Sequence, residues 1–164
     1  MAQFYWDASG LIKRYFAEVG SDTADAFFDN VPRQDMYSSP IGYTETYSLL
    51  VRRFNERVID LPAFRAAITS LQNETVNDPD LGFLPISDDN TFSSIAIITK
   101  HNINATDAAI LTMLLAYVRQ PGSLHCVLIS CDKRLLRAAS MEGLTTVNPQ
   151  WMQATDVSAF LASL

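Results

Sequence analysis

Short apolar runs alternate along the chain with longer segments in which apolar residues recur at every third or fourth position. The short runs are typical of β-strands, and the longer segments are typical of helices that bury one face. Because strands and helices alternate, the pattern predicts an α/β fold, a three-layer α/β/α sandwich around a mainly parallel sheet of four to five strands. The predicted strands are Gln3 to Asp7, Asp35 to Ser39, Phe83 to Ile86, Leu124 to Ser130 and Leu144 to Val147.

The predicted helices begin at residues that commonly cap a helix, and they end near proline or glycine. The strand Leu124 to Ser130 is almost entirely apolar, which is typical of a strand buried on both faces. We expect one domain over residues 1–150 and a helical tail, 151–164, packed on it. The predicted helices run from Ser9 to Glu18, Gly20 to Phe28, Ile41 to Val58, Leu61 to a stop at Pro79, Asp88 to Lys100, Asn104 or Thr106 to Val118, Asp132 to Gly143 and Thr155 to Leu164.

Composition and charge narrow the class of protein. The 164 residues include 12 Lys and Arg against 18 Asp and Glu, a net charge of −6, which argues against a sequence-blind nucleic-acid binder. The longest apolar stretch, Ala108 to Val118, is too short for a membrane helix, and the N-terminus lacks the basic region of a secretory signal. Cys126 and Cys131 are too few for a disulfide framework. We therefore expect a cytoplasmic protein with reduced cysteines and no membrane association.

Four carboxylates occupy positions where a solvated surface acid is uncommon. Asp7 ends the first predicted strand and Asp132 follows the fourth, so both are expected at the carboxyl edge of the sheet. Glu45 lies on the apolar stripe of the long helix, and Asp107 lies in a first helical turn with Leu111 at i+4. Each acid alone is explained equally well as a helix cap, a dipole partner or half of a salt bridge. Together they predict a convergent acidic site.

Acidic groups that converge repel one another, and a divalent cation is the usual remedy. Oxygen ligands without His or Cys favour Mg²⁺ or Mn²⁺ over zinc, and His101 and His125 show no ligand spacing. The chain also lacks a serine-nucleophile elbow and a glycine-rich phosphate loop. Carboxylate-held Mg²⁺ serves phosphate chemistry, so the residues favour metal-assisted phosphodiester hydrolysis.

Four ordered segments resemble the motifs of PIN-domain proteins, and most closely those of VapC-like toxins from bacterial toxin–antitoxin modules. Together they span roughly residues 3–149. The segments are Tyr5–Tyr15 (YWDASGLIKRY), Ser39–Glu45 (SPIGYTE), Asn102–Ile110 (NINATDAAI) and Leu128–Leu135 (LISCDKRL), the last continuing to Pro149.

The resemblance implies a Mg²⁺- or Mn²⁺-dependent endoribonuclease. In that comparison Asp7, Glu45, Asp107 and Asp132 match the acidic quartet that binds metal and carries catalysis. Ser130 matches a small hydroxyl residue two positions before the last acid, where it would orient a metal-bound water. The resemblance also implies an RNA substrate, a cognate antitoxin that covers the site, and a homodimer.

Basic residues next to the strand-end acids are candidates for contacts with RNA phosphates, although a solvated helix face explains them equally well. Ser9 matches a small polar residue that caps the first helix and stiffens the site. The substrate-binding candidates are Ser9, Lys13, Arg14, Lys133 and Arg134.

The segment Leu61 to Ser87 is longer than a compact PIN-like domain needs. It is a candidate helical clip or antitoxin-binding surface. We also expect an apolar surface from the helices near Ile41–Val58 or Phe64–Leu71 to be buried against a second copy or an antitoxin.

Two other functions remain open from the residues. A Mg²⁺-dependent phosphatase of haloacid-dehalogenase type also places acids at strand ends, but it needs a second Asp where this chain has Ser9, and Lys133 is a poor candidate for its lysine. A response-regulator receiver would need an N-terminal acid pair that is missing. The second alternative is a non-catalytic PIN-like binding module, which would have no reason to keep all four acids.

Overall fold

One parallel sheet organises the chain in the computed structural model, which describes residues 2–120, 122 and 125–164. The strand order is β3-β2-β1-β4-β5, and every pairing between neighbours is parallel. The predicted α/β fold with a five-stranded parallel sheet is therefore confirmed. Leu124, the predicted start of the fourth strand, lies outside the described residues. The strands are β1 (Ala2–Trp6), β2 (Met36–Ser38), β3 (Gly82–Phe83), β4 (His125–Ile129) and β5 (Thr145–Val147).

Helices connect the strands and cover both faces of the sheet. Three short 3₁₀ turns, Ile12–Arg14, Arg33–Asp35 and Ala154–Asp156, complete the regular structure of the described residues. The α-helices are α1 (Ala8–Leu11), α2 (Ser21–Asn30), α3 (Pro40–Asn55), α4 (Leu61–Glu74), α5 (Asp88–His101), α6 (Ala105–Val118), α7 (Lys133–Met141) and α8 (Val157–Ala162).

The two faces of the sheet bury two separate cores, because side chains alternate along each strand. Trp6 and Ile129 contribute to one core, together with Phe27 from α2. Tyr5 and Leu128 contribute to the other core, which α6 and α7 cover. β1 and β4 are neighbours in register, as expected, so the residues that follow them meet at one edge.

Several predicted boundaries were wrong, for local reasons. The helix expected from Ser9 to Glu18 is the single turn α1 followed by a 3₁₀ turn, and its N-cap is Asp7, whose carboxylate accepts a hydrogen bond from the backbone N–H of Ser9. α5 is capped by Ser87 rather than by its first residue, through a capping box. α4 ends at Glu74, well before Pro79.

The segment after α3 belongs to the core and is not a detached clip. Leu71 of α4 is fully buried, and Phe64 packs against the same core and stacks on Phe54 of α3 with ring centroids 4.9 Å apart. Phe64 and Leu71 therefore face the core, and the docking of a partner on the rest of this helix stays a prediction. The tail lies on this core too, because Val157 is fully buried and Phe160 packs within it.

Within residues 2–120, 122 and 125–164, no helix combines the length and the apolar character that crossing a bilayer requires.

Candidate active site

The four acids singled out from the sequence line one cavity of about 380 Å³ at the carboxyl edge of the sheet. They come from four different places in the fold: the end of β1, the second turn of α3, the first turn of α6 and the start of α7. Ser9, Ser48 and Arg52 are among the other residues that line it.

Asp7 is the most firmly held of the acids. It is 4 % exposed, and its Oδ2 atom accepts hydrogen bonds from the hydroxyls of Ser9 at 2.6 Å and Ser130 at 3.0 Å. The same oxygen accepts the backbone N–H of Ser9 at 3.2 Å, which makes it the cap of α1. Hydrogen bonds to an ionised carboxylate are roughly twice as strong as those between neutral groups. The carboxylate is therefore fixed in place before any ligand arrives.

Glu45 is positioned through the start of its helix. The Tyr5 hydroxyl donates to Ser39 Oγ at 2.8 Å, and Ser39 caps α3 by accepting the N–H of Gly42 at 3.0 Å. Ser38 Oγ donates to the carbonyl oxygen of Trp6 at 2.9 Å, which ties the same turn to β1.

The carboxylate of Glu45 itself makes no hydrogen bond or ion pair with the residues that the structure describes. Burial raises the pKa of this half-buried group, and the negative charge of Asp7 raises it further. The salt bridge to an arginine that would explain Glu45 as a structural residue is absent from the described part of the chain.

Asp107 feels the crowding of negative charge most strongly. Burial raises its pKa from 3.8 to about 7, and the charges of Asp7, Asp132 and Glu45 act in the same direction. Asn104, the N-cap of α6, donates to Asp107 Oδ2 at 2.7 Å and accepts its backbone N–H at 2.8 Å. A carboxyl whose pKa is raised to near neutrality by burial and by other carboxylates can exchange its proton for a cation.

Asp132 caps α7. Its Oδ1 atom accepts the backbone N–H groups of Arg134 at 2.7 Å and Leu135 at 3.0 Å. Asp132 is thus the N-cap of its helix, the structural role that the sequence also allowed, and it lines the cavity at the same time. The two roles are compatible, since capping occupies one carboxylate oxygen and leaves the other.

The donor chemistry of the cavity fits Mg²⁺ or Mn²⁺, because these cations prefer carboxylate oxygens. The side-chain positions do not form a finished metal centre. Across the described residues, no three His, Cys, Asp or Glu side chains stand close enough together to hold a metal ion. The expectation that the four carboxylates already lie within sharing distance of an ion was therefore wrong. Mutual repulsion explains this result, since Asp7, Asp107 and Asp132 turn toward local donors.

The hydroxyls of Ser9 and Ser130 both donate hydrogen bonds to Asp7. The Ser9 hydroxyl also accepts the N–H of Cys131 at 2.8 Å, and the Ser130 hydroxyl accepts the N–H of Asp132 at 3.0 Å. The Ser130 proton is donated to Asp7, and the expected orientation of a metal-bound water by this hydroxyl stays a prediction. Ser9 stiffens the site as expected, although it does not cap the helix.

Lys13 and Arg14, expected to approach RNA phosphates, face other partners. Lys13 is 5 % exposed and pairs with Glu18 at 2.7 Å. Arg14 pairs with Asp25 at 2.8 Å and Glu74 at 3.0 Å. The charges of both residues are thus compensated within the protein, and their contact with RNA phosphates stays a prediction.

Lys133 and Arg134 are exposed at the start of α7, next to Asp132, as expected. Arg52 is a site residue that we did not single out from the sequence. It lines the cavity and forms no ion pair with another described residue. A signal for it was present, because Arg52 lies seven residues after Glu45, two turns along the same face of α3.

Comparisons with known proteins identify the fold. No protein-family model and no curated protein sequence matches the chain significantly. Solved structures do match. VapC20 from Mycobacterium tuberculosis, a toxin that cleaves the sarcin–ricin loop, aligns with a TM-score of 0.65 at 15 % identity over 88 % of this chain and 98 % of its own. FitAcB from Neisseria gonorrhoeae aligns with a TM-score of 0.61 at 16 % identity over 92 % of this chain and all of its own.

Another match is PAE2754 from Pyrobaculum aerophilum, with a TM-score of 0.59 at 17 % identity over 99 % of this chain and 97 % of its own. At such identities the likeness concerns the fold. The chain thus has the fold of PIN-domain, VapC-type proteins.

Proposed function

We propose that the chain is a Mg²⁺- or Mn²⁺-dependent endoribonuclease, the toxin of a toxin–antitoxin module. The observation that carries the proposal is the convergence of four carboxylates, from four separate elements, on one cavity. Such a concentration of negative charge costs stability in the absence of a cation, and the charges of Asp7, Asp132 and Glu45 add to burial in raising the pKa of Asp107. A purely structural site would have no need to keep it. The fold shared with VapC20, a toxin that cleaves the sarcin–ricin loop, supports RNA as the substrate.

The residues divide the work. Asp7, Glu45, Asp107 and Asp132 would hold the cation, and Ser9 and Ser130 keep Asp7 in position. When bound, the cation would lower the pKa of a water and neutralise charge on the scissile phosphate. Arg52, exposed at the cavity, offers a guanidinium to a neighbouring phosphate.

The same proposal includes protein partners and a location. The expected apolar surface on α3 is present in part, since Ile41 is 39 % exposed and Tyr47 is 36 % exposed. We propose that an antitoxin or a second copy of the chain covers it, in the cytoplasm where the toxin would meet RNA. The chains that share the fold include one from FitAcB and one from the structure of FitAB bound to DNA, which supports a protein partner.

A substitution with a matched control tests the activity. Asp7→Asn keeps an oxygen to cap α1 but removes the charge, so we expect it to abolish RNA cleavage in Mg²⁺ and in Mn²⁺. Asp60→Asn is the control, because Asp60 also caps a helix, α4, but lies outside the cavity. Cleavage that survives Asp7→Asn, or that proceeds in EDTA, contradicts the proposal.

A further inference from the structure

An exposed tryptophan lies near the carboxyl edge of the sheet, where the acidic cavity is. Trp151 is 63 % exposed, and the Nζ atom of Lys133 lies over its ring, 5.9 Å from the centroid. Lys133 directly follows Asp132, which lines the acidic cavity. An indole is costly to leave in water, and here it serves neither core of the protein.

The turn that carries Trp151 belongs to the same edge of the sheet as the acids. It follows β5, which pairs with β4 so that Val147 lies opposite Ile129. The N–H of Ser130 donates to the carbonyl oxygen of Val147 at 3.1 Å, which joins the ends of the two strands. Trp151 and Asp132 therefore leave adjacent strands in the same direction.

The turn is rigid although its tryptophan is exposed. Asn148 is 5 % exposed, its side-chain oxygen accepts the N–H of Gln150 at 2.9 Å, and its carbonyl accepts the N–H of Trp151 at 3.0 Å. On the far side, Thr23 donates to the carbonyl oxygen of Met152 at 2.7 Å. Because the backbone of the turn is already anchored, a ligand that stacks on the ring does not have to order this segment of the chain.

Charge near the indole favours a phosphate-bearing ligand. Lys133 and Arg134 are exposed, and neither forms an ion pair with another described residue, although the whole chain carries a net charge of −6. The contact between Lys133 and the ring is near the ~6 Å limit for a cation–π interaction, so the ammonium remains available to other partners.

We propose that Trp151 and Lys133 form a subsite for single-stranded RNA, in which a nucleobase stacks on the indole and the adjacent phosphate binds Lys133. The subsite rests on the proposed ribonuclease function and deepens it. It holds one nucleotide next to the cavity, so that the neighbouring phosphodiester reaches the four acids. Stacking makes it selective for unpaired RNA, because the bases of a duplex have no free face.

The chain contains two tryptophans, which permits a direct test. Trp6 is fully buried, so a change in emission on RNA binding that Trp151→Phe removes belongs to Trp151. In the Asp7→Asn background, which prevents cleavage, we expect a short single-stranded RNA to quench this emission in Mg²⁺. Trp151→Ala should weaken RNA binding about 5- to 150-fold, the range expected for one stacked base, and Trp151→Phe should restore most of it.

Phe92→Ala is the matched control, since Phe92 is 72 % exposed on α5, outside the proposed subsite, and its loss should leave RNA affinity unchanged. If Asp7→Asn binds RNA without a change in emission, Trp151→Ala binds it with the affinity of its background, and the parent cleaves it, the subsite is overturned but the ribonuclease proposal stands. Self-association that only Trp151→Ala abolishes, with RNA binding unchanged, assigns the indole to a protein contact and also overturns it. Absence of both binding and cleavage in the parent overturns the ribonuclease proposal itself.

Discussion

The hydroxyl of Ser130 donates a hydrogen bond to Asp7 Oδ2 at 3.0 Å and joins the ends of two adjacent parallel strands. Its oxygen accepts the backbone N–H of Asp132 in return. Ser9 makes the same pair of contacts from the other side, to Asp7 and to the N–H of Cys131. Two serines thus connect the first acid of the cavity to the backbone that leads to the last one.

We expect Ser130→Ala to destabilise the protein by about 1 kcal/mol, because it leaves the partly buried backbone N–H of Asp132 without a protein partner. RNA cleavage should fall as well, since Asp7 loses one of the groups that position it. Ser130→Thr keeps the hydroxyl and should recover cleavage. Urea denaturation and a cleavage assay measure the two effects.

Ser48→Ala is the control for that substitution, because Ser48 lines the same cavity and makes no hydrogen bond with other described residues. Parental stability and parental cleavage in Ser130→Ala would remove Ser130 from the network that supports the site.

Asp107 should make the stability of the metal-free protein depend on pH. Burial and the neighbouring carboxylates raise its pKa in the folded protein from 3.8 to about 7, so the folded state binds the proton more tightly than the unfolded chain does. The stabilisation from this proton is complete below pH 3.8 and is lost as the pH rises through about 7. Thermal melts in EDTA across this window should show the decline, and Asp107→Asn should flatten it.

Metal affinity should change in the opposite direction over the same pH window. A cation competes with the proton on Asp107, so Mn²⁺ binding measured by calorimetry should strengthen as the pH rises toward neutrality and above. Mn²⁺ affinity that does not vary with pH, or that Asp107→Asn leaves unchanged, would exclude this carboxyl from the metal site.

Gly10 is needed where α1 crosses the end of β4. A Cβ atom added at Gly10 would lie 2.8 Å from the carbonyl oxygen of Ile129, which is backbone and cannot turn away. We expect Gly10→Ala to cost about 1–3 kcal/mol of stability and to weaken cleavage, because α1 carries the cap made by Asp7. A parental melting temperature would show that the contact relaxes freely.

The sheet and the acidic cavity could be predicted because their signals are local. An apolar run that ends in an acid, as at Asp7, predicts both a strand and the position of its last side chain. The sequence could not reveal which partners the cations select. Lys13 pairs with Glu18 because the chain turns sharply after α1, and Arg14 pairs with Glu74, sixty residues away.

Caps and exposed rings were harder to predict for a related reason. Asp7 and Ser9 are both good N-cap residues, and only the backbone angle at the strand end decides between them. For Trp151, nothing local in the sequence indicates that the turn after β5 leaves its indole in solvent.

Glu45 gives the cleanest test of the metal-dependent ribonuclease, because its carboxylate has no hydrogen bond with the described residues that a substitution would break. Glu45→Gln preserves the shape of the side chain and removes its charge. The charge of Glu45 is one of those that, together with burial, raise the pKa of Asp107. Glu56→Gln, at the exposed end of α3, is the matched control.

The decisive measurement is RNA cleavage by the parent, Glu45→Gln and Glu56→Gln in Mg²⁺, Mn²⁺ and EDTA, beside thermal melts of each protein in EDTA. We predict cleavage by the parent and Glu56→Gln only when metal is present, and none by Glu45→Gln, which should melt at the parental temperature or above it. Cleavage by folded Glu45→Gln at the parental rate, or cleavage by the parent in EDTA, would contradict the account.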